Sequence, residues 1–186
     1  MRSRIAASLL ALALAIPALA LTLAGVNLED HVTVGSQTLV LNGAGLRKKL
    51  FIKVYVGALY LSAKQSNPTA IMAADAPRRQ VMHFLYSVSK DQMCEAWDEG
   101  LEQNTKNASA EVKGAFKSLC NLMEPIPKGN RLVLTYVPGT GTTVEINGKN
   151  KGILPGKATA DAILATWIGP DPAPGQDFKK GVLGTK

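Results

Sequence analysis

The sequence predicts an α+β fold, one large and mostly antiparallel β-sheet with helices packed on one face. Three observations predict it. Apolar, β-branched runs recur at Gln37–Asn42, Phe51–Leu61, Arg78–Val88 and Arg131–Val137, with no proline inside any of them. Two consecutive segments in the middle of the chain carry apolar residues at helical spacing, each opened by a serine. Near the end, Asn147-Gly148 stands between two strand-like runs, a strong short-range hairpin signal.

At the start, Met1–Ala24 carries Arg2 and Arg4, an uncharged apolar run from Ile5 to Leu23, and small residues at Ala18, Ala20 and Ala24. This is the pattern of a secretory signal peptide spanning 1–24, with Ala18-Leu19-Ala20 as the A-x-A site and cleavage near 20 or 24. The competing reading is an uncleaved anchor, because the run approaches the roughly 20 residues that span a bilayer. Pro17 and the small residues around the cut favour cleavage, and both cysteines lie too far downstream to form a lipobox. The expectation is an exported protein, periplasmic or secreted, with no stable membrane anchor after cleavage.

Residues 25–186 then form a single domain of about 160 residues, long enough for one sizeable core. No linker, repeat or second long apolar span divides them. Losing Arg2 and Arg4 lowers the formal charge from +7 to about +5, which favours solubility and a mild attraction to anions. The basic residues are scattered rather than interleaved with aromatics along one helix, so no nucleic-acid partner is expected.

His31–Gly35 and Gln37–Asn42 read as short strands around Gly35-Ser36, and Phe51–Leu61 as a longer one. Between them, Gly43-Ala44-Gly45-Leu46-Arg47-Lys48-Lys49 has glycines that permit positive φ or close backbone approach, then three cations beside an apolar run. Lys64–Pro68 is turn chemistry, followed by a short helical or irregular piece over Thr69–Ala74. Arg78–Val88 alternates, Val81, His83 and Leu85 on one face and Met82, Phe84 and Tyr86 on the other. Ser89 to Gln92 has capping-box spacing ahead of a stripe of Met93, Ala96, Trp97, Gly100 and Leu101. Ser109 caps a second helix with Val112, Ala115, Phe116 and Leu119, ending before Pro125. Arg131–Val137 is a strand, Pro138–Gly141 a turn, and Thr142–Ile146 pairs with Lys151–Leu154. Ala158 to Thr166 suits a helix stopped at Gly169-Pro170, with a last short helix over Asp177–Leu183.

Cys94 and Cys120 are the only cysteines, both on the predicted helix pair. In an oxidising compartment a disulfide between them would close a loop of about 26 residues; two small core residues that never meet is the alternative. No metal site is expected, since neither cysteine has a close Cys or His companion and His31 and His83 stand alone. The chain has no G-x-S-x-G and no phosphate-cradling glycine loop, and no cofactor is expected. Any chemistry falls to Arg47 and to hydroxyls. Tyr60, Tyr86, Trp97 and Trp167 read as packing residues, with the alternative that the helices of the two tryptophans lie over a cleft and present them to a ligand.

Gly43-Ala44-Gly45-Leu46-Arg47 followed by Gly57-Ala58-Leu59-Tyr60 resembles the chalcone isomerase-like superfamily, in particular its bacterial, secreted branch. The likeness continues through Tyr136–Gly141, Asn147-Gly148-Lys149 and Ala165–Gly169. It implies an open-faced β-sandwich with a cleft between sheet and helices. In the enzymes of this superfamily the cleft holds a flat aromatic ketone, and an arginine matching Arg47 assists ring closure. The position of their strand threonine holds Tyr55 here, and their late Ser or Thr falls on Ala160, with Thr159 beside it. In the fatty-acid-binding relatives a similar Arg and Tyr pair holds a carboxylate at the end of an apolar tunnel.

The expected partner is therefore a small amphipathic or aromatic ligand. The favoured expectation is a fatty acid or similar carboxylate held by Arg47 and Tyr55, because guanidinium forks onto carboxylate and phenol adds a neutral donor. One alternative is an isomerase, an intramolecular lyase closing a ring on a chalcone-like ketone, with Arg47 and Tyr55 as its catalytic residues. Another is a non-catalytic periplasmic adaptor domain. For the two side chains to converge, the chain must bend near Lys48-Lys49.

Overall fold

In the computed structural model, which describes residues 21–185, the β-branched runs pair in chain order. The predicted signal peptide lies almost wholly outside the described residues. Seven strands form one sheet: β3 (His31–Val34), β4 (Gln37–Lys49), β5 (Ile52–Leu61), β6 (Arg78–Phe84), β7 (Arg131–Val137), β8 (Gly141–Ile146) and β9 (Lys149–Leu154). Every neighbouring pair is antiparallel. A separate hairpin, β1 (Leu21–Leu23) with β2 (Val26–Leu28), precedes them. The helices are α1 (Pro68–Ala73), α2 (Lys90–Asn104), α3 (Ala110–Leu122), α4 (Lys157–Ile168) and α5 (Gln176–Val182). Among the described residues no helix is long and apolar enough to cross a membrane.

Strand alternation assigns each residue a face. Tyr55, Leu59, Met82, Phe84, Leu132 and Leu134 point to the helical side and join the buried stripes of α2, α3 and α4. Val56, Ala58, Tyr60 and Val81 point the other way, where the β1–β2 hairpin contributes Leu28, with Leu23 and Val26 against it. The capping box predicted at Ser89 forms, with Gln92 answering the Ser89 backbone, and Ser109 caps α3. Asn147 and Gly148 both take positive φ, as a two-residue hairpin of this type requires. From Ala162 to Ile168 helix α4 is buried on all sides, packed between the sheet and the other helices, while Asp161 in its first half stays partly exposed.

The structure corrects the sequence reading in three places. The glycine-rich segment does not interrupt the strand: β4 runs unbroken through Gly43 and Gly45 to Lys49. Neither glycine takes positive φ. Both admit α5, since a Cβ at Gly43 would overlap the Gly181 carbonyl, one at Gly45 the backbone of Phe178, and one at Gly181 the Ala44 carbonyl. The chain reverses not at Lys48-Lys49 but two residues later, in a tight turn at Leu50-Phe51 with Leu50 at φ +54°. Finally, β6 ends at Phe84, short of Val88. Val54 is bulged out of the β4 ladder, and its carbonyl accepts from both Leu85 (2.9 Å) and Tyr86 (3.2 Å), which ends regular pairing there.

Candidate functional site

The β4–β5 hairpin places Arg47 directly opposite Tyr55. Cross-strand partners share a face, so both side chains stand on the helical side of the sheet. There they border a cavity of about 290 Å³ that opens between the hairpin, the end of β6 and α2. Its walls are mostly apolar: Val54, Met82 and Phe84 from the sheet, Val88, Met93, Ala96 and Trp97 from the α2 side, and Trp167 from α4. The volume is at the small end of the range for small-molecule sites, and an apolar lining with a few polar groups is their usual composition.

Arg47 is half-buried, and its Nη1 donates to the Ala173 carbonyl in the loop before α5. Among the described residues no carboxylate lies within ion-pair distance of it. The guanidinium is thus aimed by one backbone contact and keeps donors for another acceptor.

Tyr55 is buried in an aromatic cluster, 5.6 Å from Phe84, 5.8 Å from Phe178 and 6.4 Å from Trp167 between ring centroids. Burial pushes its hydroxyl well above the ordinary tyrosine value, against the opposing pull of the Arg47 charge and a Trp167 contact. The phenol is a neutral donor at any physiological pH. Gly57 keeps the cluster tight, because a side chain there would strike the Phe178 ring.

Four cavity groups stand outside the Arg47 and Tyr55 pair expected from the sequence. Trp97 is buried and lines the cavity, and its buried Nε1 has no hydrogen-bond partner. Tyr86, expected in the sheet, is 51% exposed at the cavity mouth, because β6 has already ended. Glu95 and Glu99 border the cavity from the exposed side of α2. Only the helical period of α2 hinted at these last two. The late hydroxyl position is also displaced: neither Thr159 nor Ala160 lines the cavity, whereas Thr166 does, with its hydroxyl donating to Ile163 O within α4.

A disulfide joins Cys94 of α2 to Cys120 of α3, with Cα atoms 5.1 Å apart. His83 faces the opposite side of the sheet, in a hollow with Tyr60, Arg79 and Arg131. Burial, and then the Arg131 charge, lower its pKa, with Glu29 opposing them. Tyr60 is buried, as expected for a packing residue.

The family model described as chalcone isomerase-like matches residues 20–184. No curated protein matches the sequence. Among solved structures, the chain is similar to a fatty-acid binding protein of Arabidopsis thaliana, at 20% identity and a TM-score of 0.68 over 86% of this chain and 92% of that one. At that identity the likeness establishes the fold, a curled antiparallel sheet with helices on one side. With its matched residues running from before β1 to beyond α5, the chain belongs to the chalcone isomerase-like family.

Proposed function

We propose that this protein binds a fatty acid or a comparably amphipathic carboxylate, its headgroup on Arg47 and Tyr55 and its tail along the apolar cavity. The observation that carries the reading is a half-buried arginine, with no carboxylate partner among the described residues, standing opposite a neutral tyrosine at an apolar cavity. The fatty-acid binding described for the Arabidopsis protein of the same fold supports it. Ring-closing catalysis has less support, because Ala160 and Thr159, at the late hydroxyl position, stand away from the cavity.

We further propose that the chain is exported to the periplasm or beyond, on the strength of its N-terminal pattern and of the disulfide, a bond that persists in oxidising compartments. Cleavage after Ala20 would leave the β1–β2 hairpin whole, whereas cleavage after Ala24 would remove β1.

Mass spectrometry of the purified protein, native and after organic extraction, tests the binding reading. Wild type should carry or take up an acidic lipid in stoichiometric amount. Arg47→Ala should lose it, with affinity reduced by about 2–5 kcal/mol, about 30-fold at the least. A wild-type protein that is empty and refuses added fatty acids would overturn the proposal and turn attention to turnover of conjugated ketones.

A further inference from the structure

The turn that joins β4 to β5 is built against the ordinary rules for a surface loop. Leu50 is 83% exposed and Phe51 94%, the two most exposed large apolar side chains among the described residues. Leu50 also occupies a left-handed backbone position, φ +54°, where Gly or Asn would be less strained. Lys48, Lys49 and Lys53 surround this tip; all three are exposed, and none forms an ion pair among the described residues. Ile52 and Tyr86 continue the apolar surface from the tip to the mouth of the cavity.

We infer that this hairpin tip docks the protein on an anionic phospholipid bilayer. At about 3.4 Å per strand residue, Lys48 and Lys53 lie about 7 Å behind the tip. A wedge of that depth puts Leu50 and Phe51 at the acyl boundary while the lysines remain among the phosphates, the arrangement typical of interfacial anchors. Charge selects the bilayer over a second copy of the chain. A two-fold pairing of tips would set one lysine collar against another.

Across the mouth, α2 shows the opposite sign, with Asp91, Glu95, Asp98, Glu99 and Glu102 all exposed. An anionic surface therefore attracts the hairpin and repels the helix, which orients the molecule tip downward. The docking rests on the tip alone. Its use, passing an amphipathic ligand between bilayer and cavity, rests on the carboxylate-binding reading.

Flotation of the purified protein with vesicles tests it, comparing phosphatidylglycerol–phosphatidylcholine mixtures with pure phosphatidylcholine. Wild type should float with the anionic vesicles. The double variant Leu50→Ser/Phe51→Ser should bind them about tenfold more weakly or worse. Lys48→Gln/Lys53→Gln should lose the preference for anionic lipid. Neither pair lines the cavity, so both variants should keep the wild-type melting temperature and ligand content. Arg47→Ala should empty the cavity and still float, which separates failure of the ligand reading from failure of the docking. Wild type that does not float, a serine variant that floats equally well, or a dimer that the serine variant abolishes without any vesicle binding would each overturn the inference.

Discussion

Tyr55 stands where packing and the proposed recognition meet. Its ring completes a cluster with Phe84, Trp167 and Phe178, and its backbone stands across the ladder from Arg47. Removing only the oxygen therefore separates the two roles. Tyr55→Phe should leave the melting temperature near wild type and weaken fatty-acid binding by about 3–10-fold, the net value of one hydrogen bond, as read by titration calorimetry. The loss should be far smaller than for Arg47→Ala, which removes the charge proposed to meet the carboxylate. Residue types made both positions visible in the sequence. Their register was not visible, because it depends on a turn two residues beyond the predicted bend and on the Val54 bulge. Trp97 reads as core, with presentation to a ligand as the alternative, because an indole on an apolar helix face looks the same in either role.

Among the elements, α5 and β4 approach closely, backbone on backbone at Gly43, Gly45 and Gly181. The bulged Asn42 secures the contact, its Nδ2 donating to Val182 O at 2.8 Å and its Oδ1 accepting from Gln65 N at 2.7 Å. Gly181→Ala should accordingly destabilise the fold by about 1–3 kcal/mol, measured by urea unfolding, since the new methyl meets a carbonyl that cannot yield. Phe178 would shift with the helix and loosen the wall behind Tyr55. Capped helices, the Asn-Gly turn and the alternating strands were legible because their signals are local. Close backbone approach at Gly43 and Gly45 was legible as one of two uses of the glycines, but the partner they admit was not, since it lies more than 130 residues downstream.

For the molecule as a whole, three buried tyrosines shape the response to alkali. Tyr60 is pushed up to about 12, first by burial and then by Glu29 and Asp30. Tyr136 is pushed up to about 12 by burial and by Asp75, to which its hydroxyl donates at 2.6 Å. Tyr55 moves in the same direction. Below about pH 10 both folded and unfolded chains keep these protons, and the three groups leave stability unchanged. Above it the unfolded chain ionises first, so their contribution is lost as pH rises from about 10 through 12. Urea midpoints measured across that window should fall steadily, and Tyr60→Phe should flatten the decline.

The fastening of α2 bears on how a guest molecule would come and go. Cys94 ties its first turns to α3, and at its far end Asn104 exchanges two hydrogen bonds with the backbone of Asp171, at 2.7 and 3.0 Å. A helix clamped at both ends makes a fixed jamb, not a door. A ligand bound as proposed would then pass by the gap beside Tyr86 and Ile52, and its exchange should be paced by desolvation and side-chain rotation, with no helix to unlatch.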